Sequence, residues 1–496
     1  MRSALLAGLL GVALALAMPP LGWWPLALVA VAGLGLLCRD ASLRAAAVRG
    51  LLFGFTFVLV AAWWLYSVVP GIQFAIAAVE APFYLVLGLA LAATSRLPGW
   101  PVWGACAWAG VELARGHLPF GGFPWARLGT PFVDTGIVSW ARYLGEGGLT
   151  FVVALAALLL AAAVVGRHRL LLALPAAVAA LALLAAGWVL PVGLHGTEGR
   201  TATVAVVQGD TPGEGIDSMA EPRVVLENHA TATHDLAADI EAGRAEQPDV
   251  VVWPENSSDI DPLLDADAGA LIQDAVDAVG VPVLVGAVTR GPGDDHVQGT
   301  GIVWEPTTGP GETYAKRRLV PFGEWVPLRA AFTPIVPLLE QEIPRDFFPG
   351  DGPGVLDLGD VRMGAVMCFE VAYDEAIRDV AGEDVDLLAV QTNNATYLGT
   401  AQLEQQWAIT RLRAVETGRA VAVAATTGIS GFVRPDGSVL DRTTSRAQQA
   451  LVAEVPIGEG TTPGIRLGGW FDLAAAGLGL VGVAVGVVRR RARERG

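Results

Sequence analysis

The chain has 496 residues, 53% of them hydrophobic and 17% charged, and at a mean hydropathy of +0.49 it is too apolar for a soluble protein, so part of it belongs in lipid. Its 49 acidic residues outnumber 33 basic ones. That disfavours nucleic acid as a partner, because a phosphate-binding surface needs clustered cations; the acidity reads as solubility of the polar part. Apolar runs fill residues 1–190. A helix needs about 20 residues to cross roughly 30 Å of hydrocarbon, so spans are expected near 3–18, 21–38, 51–69, 72–94, 100–115, 147–166 and 169–190, with a last near 468–488. The first run lacks a small-residue cleavage site and is taken as a retained span.

Arg2, the loop holding Arg39, Arg44 and Arg49, the turn at Arg96, the loop with Arg167 and Arg169, and the tail Arg489, Arg490, Arg491 and Arg493 alternate as eight crossings require. This places both termini in the cytoplasm and the polar segment outside. The expected division is a transmembrane domain 1–196 with about seven spans, an extracytoplasmic domain 197–465, and a last span with a basic tail, 466–496, the clearest boundary falling near Gly196. On the fifth span Glu112 and Arg115 stand three residues apart. Their spacing suits mutual pairing near the interface, and gripping a lipid headgroup is the alternative.

In the polar segment short β-rich runs alternate with helical patterns. Strands are expected at 203–209, 250–255, 281–287, 301–305, 361–370, 386–394, 419–426 and 450–455, helices near 222–242, 265–279, 371–382 and 402–417, and a Pro-Asp-Gly hairpin at 431–440. This is an α/β layout. The proline-rich apolar stretch 327–349 reads as an irregular loop, either a cover over the core or a lid that admits lipid chains.

The reactive residues fall at strand ends, where open α/β sheets assemble sites. With Cys38 and Cys106 in spans, Cys368 in V-M-C-F-E is the only cysteine of the polar segment, so it has no disulfide partner there. A thiol attacks as thiolate and needs a base. Glu255, closing D-V-V-V-W-P-E, fills that role if desolvation raises its pKa; Lys316 and the backbone N–H of Phe369 are donors for an oxyanion. Each residue alone also has a bland reading, as a solvated cap, a surface cation or a small core hydrophobe. The six histidines, His117, His168, His195, His229, His234 and His296, have no metal-ligand spacing. No metal and no cofactor are expected.

Glu, Lys and Cys in this order, with V-A-V-V-Q-G at 204–209, Y-A-K at 314–316, V-P-F-G-E at 320–324 and C-F-E at 368–370, resemble the nitrilase superfamily. That implies an α-β-β-α sandwich over 201–456 with Glu255, Lys316 and Cys368 catalytic. Joined to a multi-pass α-helical membrane domain, and with K-R-R-L-V-P-F-G-E-W-V-P-L at 316–328 and G-F-P-W at 122–125, the chain resembles the apolipoprotein N-acyltransferase family. The resemblance implies a phospholipid acyl donor, a thioester on Cys368, and a diacylated apolipoprotein as acceptor, in a bilayer and with a monomer expected. Glu324 and Glu370 match two further acidic positions, assigned to orienting Lys316 and the incoming amine. Trp253, Phe322, Trp325 and Phe369 are expected to wall the thioester, and Asn393 to contact substrate. The family's Asn-Asp-X-Trp-Phe-Gly stretch reads N-N-A-T-Y-L-G at 393–399 here, with Asn394, Thr396, Tyr397 and Leu398 altering the pattern. The rival readings are a membrane-tethered amidase with water as acceptor, and a transporter or receptor that only binds ligand. The second predicts several ionisable residues and helix breaks inside the spans, and here they are few.

Overall fold

The computed structural model describes residues 1–167, 170–192, 199–213, 221–293, 295–334, 336–458 and 460–495. The boundary expected at Gly196, together with His168, Arg169, His195 and Ile335, lies outside the described residues. The chain divides into two compact units, 1–192 with 462–496, and 193–461.

The first unit is helical: Arg2–Ala17, Pro25–Cys38, Leu43–Ala61, Ile72–Thr94, Trp100–Arg115, Trp140–Val165, Leu170–Ala186 and the C-terminal Pro463–Arg495. Four stretches, Leu43–Ala61, Ile72–Thr94, Gly136–Val165 and Pro463–Arg493, are long and apolar enough to cross a membrane; Arg2–Ala17, Pro25–Cys38 and Ala173–Ala186 are shorter apolar helices. The third helix starts eight residues before the expected span because the Ser42 hydroxyl caps it, accepting from Ala45 N at 3.2 Å. Arg44 and Arg49 therefore ride on the helix rather than in a loop. The sixth starts at Trp140, seven residues early, and Gly145 at φ 74° takes up the kink between its two halves. The last begins at Pro463, where Thr462 Oγ1 accepts from Ile465 N.

Glu112 and Arg115 do not pair with each other. Arg115 donates to Glu80 at 2.7 Å and to the carbonyl of Trp125 at 3.1 Å, so the G-F-P-W motif supplies one of its acceptors. Glu112 accepts from Leu128 N at 2.9 Å, Thr150 Oγ1 at 2.7 Å and Trp108 Nε1 at 3.3 Å, and lies 3.6 Å from Arg127, which also reaches Glu146 at 3.2 Å. The network is thus wider than the two residues recognised in the sequence, and its hydrogen bonds to backbone and side chains mark it as a packing device. Elsewhere glycines bring helices together: a Cβ on Gly50 would lie 2.1 Å from the Tyr84 carbonyl, and one on Gly88 2.4 Å from that of Ala46.

The second unit contains β1 (Thr201–Gln208), β2 (Val250–Val252), β3 (Val283–Arg290), β4 (His296–Glu305), β5 (Gly309–Ala315), β6 (Asp346–Phe347), β7 (Val355–Leu358), β8 (Val361–Met367), β9 (Leu387–Thr392), β10 (Val421–Ala425), β11 (Gly431–Val433), β12 (Val439–Arg442) and β13 (Gln449–Pro456). They form a seven-stranded sheet, β13-β1-β2-β3-β4-β5 with β6 beside β4, and a six-stranded one, β12-β11-β10-β9-β8-β7. β1, β2 and β3 run parallel, as do β8, β9 and β10. The period-2 alternation of β1 shows why the layers stack. Val204 and Val206 enter a core shared with Met363, Ala365 and Leu387 of the other sheet, whereas Ala205 and Val207 pack under helices Pro222–Glu241 and Ala266–Val279. Helix Asp374–Gly382 covers the second sheet, where Val380 closes over Gly364. The result is the expected α-β-β-α sandwich.

β5 and β7 were not expected: T-G-P-G-E-T-Y-A is weak in β-formers, and its pairing with β4 rather than its own propensity makes it a strand. The stretch 327–349 is more regular than expected. It holds short helices Arg329–Phe332 and Leu338–Glu342, the ion pair Arg329–Asp346, and β6 paired to β4.

Removing one partner of a buried ion pair strands the other charge, at about 3–5 kcal/mol. Arg115→Met is expected to destabilise the detergent-solubilised protein by about that much, and Glu80→Gln/Arg115→Met by less. Equal losses in chemical denaturation would show that the two side chains are not coupled.

Candidate active site

Four strand ends meet at one edge of the sandwich. Glu255 follows β2, Lys316 follows β5, Cys368 follows β8 and Asn393 follows β9. β3 and β5 each run antiparallel to β4, so β5 points the same way as β2 and β3 and delivers Lys316 to the edge that holds Glu255. Backbone bonds extend the ladder past β5: Lys316 N donates to Gly299 O, and Gly350 N to Lys316 O, both at 2.9 Å. Between the sheets, the buried Gln391 amide donates to the Trp253 carbonyl at 2.7 Å, tying the strand below Asn393 to the segment that carries Glu255.

Lys316 is 1% exposed and sits between two carboxylates, 2.8 Å from Glu255 and 2.5 Å from Glu324. The second oxygen of Glu255, itself 5% exposed, accepts from Asn393 N at 3.1 Å, and that of Glu324 from Val320 N at 2.8 Å. Both acids are therefore fixed at each end. Burial alone would lower the Lys316 pKa, but Glu255, Glu324 and the Cys368 sulfur outweigh it and hold the ammonium well above its usual range. Burial raises the pKa of Glu255, Lys316 opposes that, and Glu324 adds to it. Cys368 is pushed up to about 12 by desolvation and by the Glu255 charge, against Lys316 and a hydrogen bond from Thr392. The resting Cys368 side chain is therefore a thiol.

Cys368 has φ 48°, the left-handed region, at the sharp turn that ends β8. Glu370 holds this turn. Fully buried, its carboxylate accepts from Met367 N at 2.8 Å, Arg317 N at 2.8 Å, Arg318 N at 2.9 Å and the Tyr314 hydroxyl at 2.8 Å. It binds the Cys368 turn to the segment after Lys316. Because of this clasp, residues 368–372 form a 3₁₀ turn and the following helix starts at Asp374 instead of near 371. None of the hydrogen bonds found for Glu370 among the described residues reaches Lys316, while Glu324 contacts it directly.

The aromatic residues separate. Trp253 is fully buried under the outer helices, with its indole N–H on Thr233 at 2.9 Å and its ring 5.9 Å from that of His229. It is a core residue, because the alternation along β2 turns it away from the facing sheet. Trp325 and Phe322 are half-buried in the turn that carries Glu324, closed by Phe322 N to Trp325 O at 2.8 Å. Phe369 is buried, edge-on to Tyr373. Asn393 contributes its backbone N–H to Glu255, and its side-chain oxygen accepts from Thr426 at 3.0 Å and Ala395 N at 3.2 Å.

Three groups around the cluster went unread in the sequence. Thr392 acts to lower the Cys368 pKa, and its hydroxyl donates to Asn394 Oδ1 at 3.2 Å and accepts from Gln406 Nε2 at 2.9 Å. Tyr397, in the altered loop, has its pKa raised first by burial and then by the Cys368 charge. Burial brings Asp259 to about 7, with an Asn256 hydrogen bond opposing and the Glu255 charge reinforcing the shift. A cue for Thr392 existed in Q-T-N-N, where a hydroxyl precedes the strand-end asparagines. Nothing in composition separates Asp259 from solvated acids. Among the described residues no group of three or more His, Cys, Asp or Glu side chains has metal-binding proximity.

The N-terminal region, residues 10–159, matches a family model described as apolipoprotein N-acyltransferase N-terminal domain, and residues 203–461 match one described as carbon-nitrogen hydrolase. A protein of Mycolicibacterium smegmatis named apolipoprotein N-acyltransferase is 39% identical, the match covering 96% of this chain and 83% of the relative. Two proteins of the same name, from Azotobacter vinelandii and Ralstonia nicotianae, are 30% and 32% identical, over 99% of this chain and 96% and 94% of their own lengths.

With the thiol pushed up to about 12, thiolate forms only as the pH rises, so alkylation of Cys368 by iodoacetamide in the resting protein is expected to keep accelerating at pH 10. An ordinary thiol, with a pKa near about 8.5, levels off by then. Thr392→Val removes the hydroxyl that favours thiolate, so alkylation should slow at every pH, and Thr392→Ser should restore it. A plateau near pH 9, or an unchanged profile in Thr392→Val, would contradict the geometry.

Proposed function

We propose, from the premise that this chain belongs to the apolipoprotein N-acyltransferase family, that its reaction runs through the cluster at Cys368. The observation that carries this reading is the buried Lys316 held between Glu255 and Glu324 beside the sulfur. The Cys368 thiol attacks the ester carbonyl of a membrane phospholipid while its proton passes to Glu255. The oxyanion of the tetrahedral intermediate is met by the Lys316 ammonium and the Phe369 backbone N–H. Collapse breaks the ester C–O bond, Glu255 returns the proton to the departing lysophospholipid oxygen, and a thioester remains. The free α-amine of a diacylglyceryl-cysteine then attacks, Glu255 takes its proton, the C–S bond breaks and the sulfur is reprotonated. The product is an N-acyl lipoprotein.

A raised Glu255 pKa suits this cycle, since a base that accepts and returns a proton works best near the ambient pH. Glu324 holds Lys316 so that its charge points at the reacting carbonyl. Phe369, Trp325, Phe322 and Tyr397 exclude water from the thioester, which lets an amine compete with hydrolysis. The exposed apolar side chains Leu328, Val336 and Phe348 of the stretch 327–349 suit passage of acyl chains. The protein spans the membrane eight times as a monomer, with both termini cytoplasmic and the catalytic unit outside. In support of this orientation, arginines gather at one end of the helices, where Arg96 pairs with Asp40 at 2.6 Å and Arg490 donates to Ala41 O at 3.2 Å.

Purified protein incubated with phospholipid alone is expected to gain an acyl mass on Cys368. The adduct should be absent in Cys368→Ala and form about 100-fold more slowly in Glu255→Gln. Adding a diacylglyceryl lipopeptide should discharge the adduct to an N-acylated peptide. An adduct on another residue, no adduct, or discharge to free fatty acid alone would reject the assignment.

A further inference from the structure

A cavity of about 190 Å³ in the helical unit carries more positive charge than its walls neutralise. Four of its lining residues are Arg96, Arg489, Arg490 and Arg493, and a single carboxylate, Asp40, faces them. Asp40 is already engaged by Arg96 at 2.6 Å and lies 3.6 Å from Arg39. Arg490 is anchored to the Ala41 carbonyl. Among the described residues neither Arg489 nor Arg493 pairs with a carboxylate. Guanidinium groups do not shed their protons, so an anion is the relief available to such a cluster.

The packing fixes where this charge sits. A Cβ on Gly486 would lie 2.3 Å from the Ala93 carbonyl, so the C-terminal helix touches Ile72–Thr94 there. Arg489 and Arg493 follow Gly486 at i+3 and i+7 on the same helix face and are held at the seam. Ala92, Ala93 and Leu97 give the cavity an apolar floor. Twenty-six residues of helix separate Pro463 from Arg489, roughly 39 Å of rise, which exceeds the roughly 30 Å hydrocarbon core. The cavity therefore lies at headgroup depth in the leaflet remote from Pro463.

We propose that this cavity binds the phosphate of an anionic phospholipid headgroup, with the glycerol end of the lipid against its apolar floor, so that the lipid bridges the C-terminal helix and the Ile72–Thr94 helix. Basic pockets between membrane helices suit such headgroups. This assignment does not depend on the chemistry at Cys368.

Native mass spectrometry of the full chain in neutral detergent tests it, with dioctanoyl phosphatidylglycerol, dioctanoyl phosphatidylcholine and inorganic phosphate as separate probes. Phosphatidylglycerol should bind at least about tenfold more tightly than the other two, and Arg489→Gln/Arg493→Gln should remove about that advantage. Arg2→Gln/Arg44→Gln, which removes the same charge elsewhere, should leave it. Asp40→Asn deletes the competing carboxylate and should tighten phosphatidylglycerol binding, which keeps the test decisive even where the double arginine variant fails to fold. Equal binding of the two lipids, undiminished binding in the folded cavity variant, or unchanged or weaker binding in Asp40→Asn would overturn the site. Inorganic phosphate binding as tightly as phosphatidylglycerol would make it a soluble-anion site and overturn the lipid assignment.

Discussion

One ammonium buried between two carboxylates sets the electrostatics of the strand-end cluster in the sandwich unit. Lys316 neutralises one of Glu255 and Glu324 but not both, so full ionisation would leave a net negative charge in a site almost closed to water. The cluster relieves this by raising the proton affinity of Glu255, while the lysine keeps its own proton. A base with a raised pKa beside a fixed cation is what a cycle of proton acceptance and return requires. Burial, reinforced by the Glu255 charge, likewise disfavours thiolate at Cys368.

Holding these groups is the work of the sandwich. Parallel strands in both sheets end at one edge, and two buried side chains lock that edge across the interface. Gln391 ties the segment of Glu255 to β9, and Glu370 ties the Cys368 turn to the chain after Lys316. Cys368 keeps a left-handed backbone because Glu370 satisfies the amide just before it and the turn just after it is closed by Tyr373 N to Glu370 O. In the membrane unit, Glu112 and Arg115 are each held by backbone and side-chain partners, so that charge is carried within packed helices.

Much of this was legible in the sequence because it rests on local pattern. Alternating Val and Ala in β1 and β10 and the apolar run of β8 marked buried strands, and the helices at 222–241, 266–279 and 402–417 followed from their periodicity. Glu255, Lys316 and Cys368 stood out by order and strand-end position, and the structure brings the three together. What the sequence hid depends on contacts between distant segments. β5 exists because β4 pairs with it, Trp253 faces helices because of which way β2 alternates, and Thr392 reaches Cys368 only once β8 and β9 lie side by side. The wider ionic network escaped notice because Glu80, Arg127 and Glu146 come from three separate segments.

The central claim is that burial, reinforced by the Glu324 charge, raises the proton affinity of Glu255 by more than Lys316 offsets. The direct measurement is an infrared pH titration of the resting protein, taken as the difference between the native chain and Glu255→Gln to isolate this one carboxyl. A protonated-carboxyl band that persists above the pH at which ordinary glutamates ionise is the expected result. A band lost at or below that pH would contradict the account.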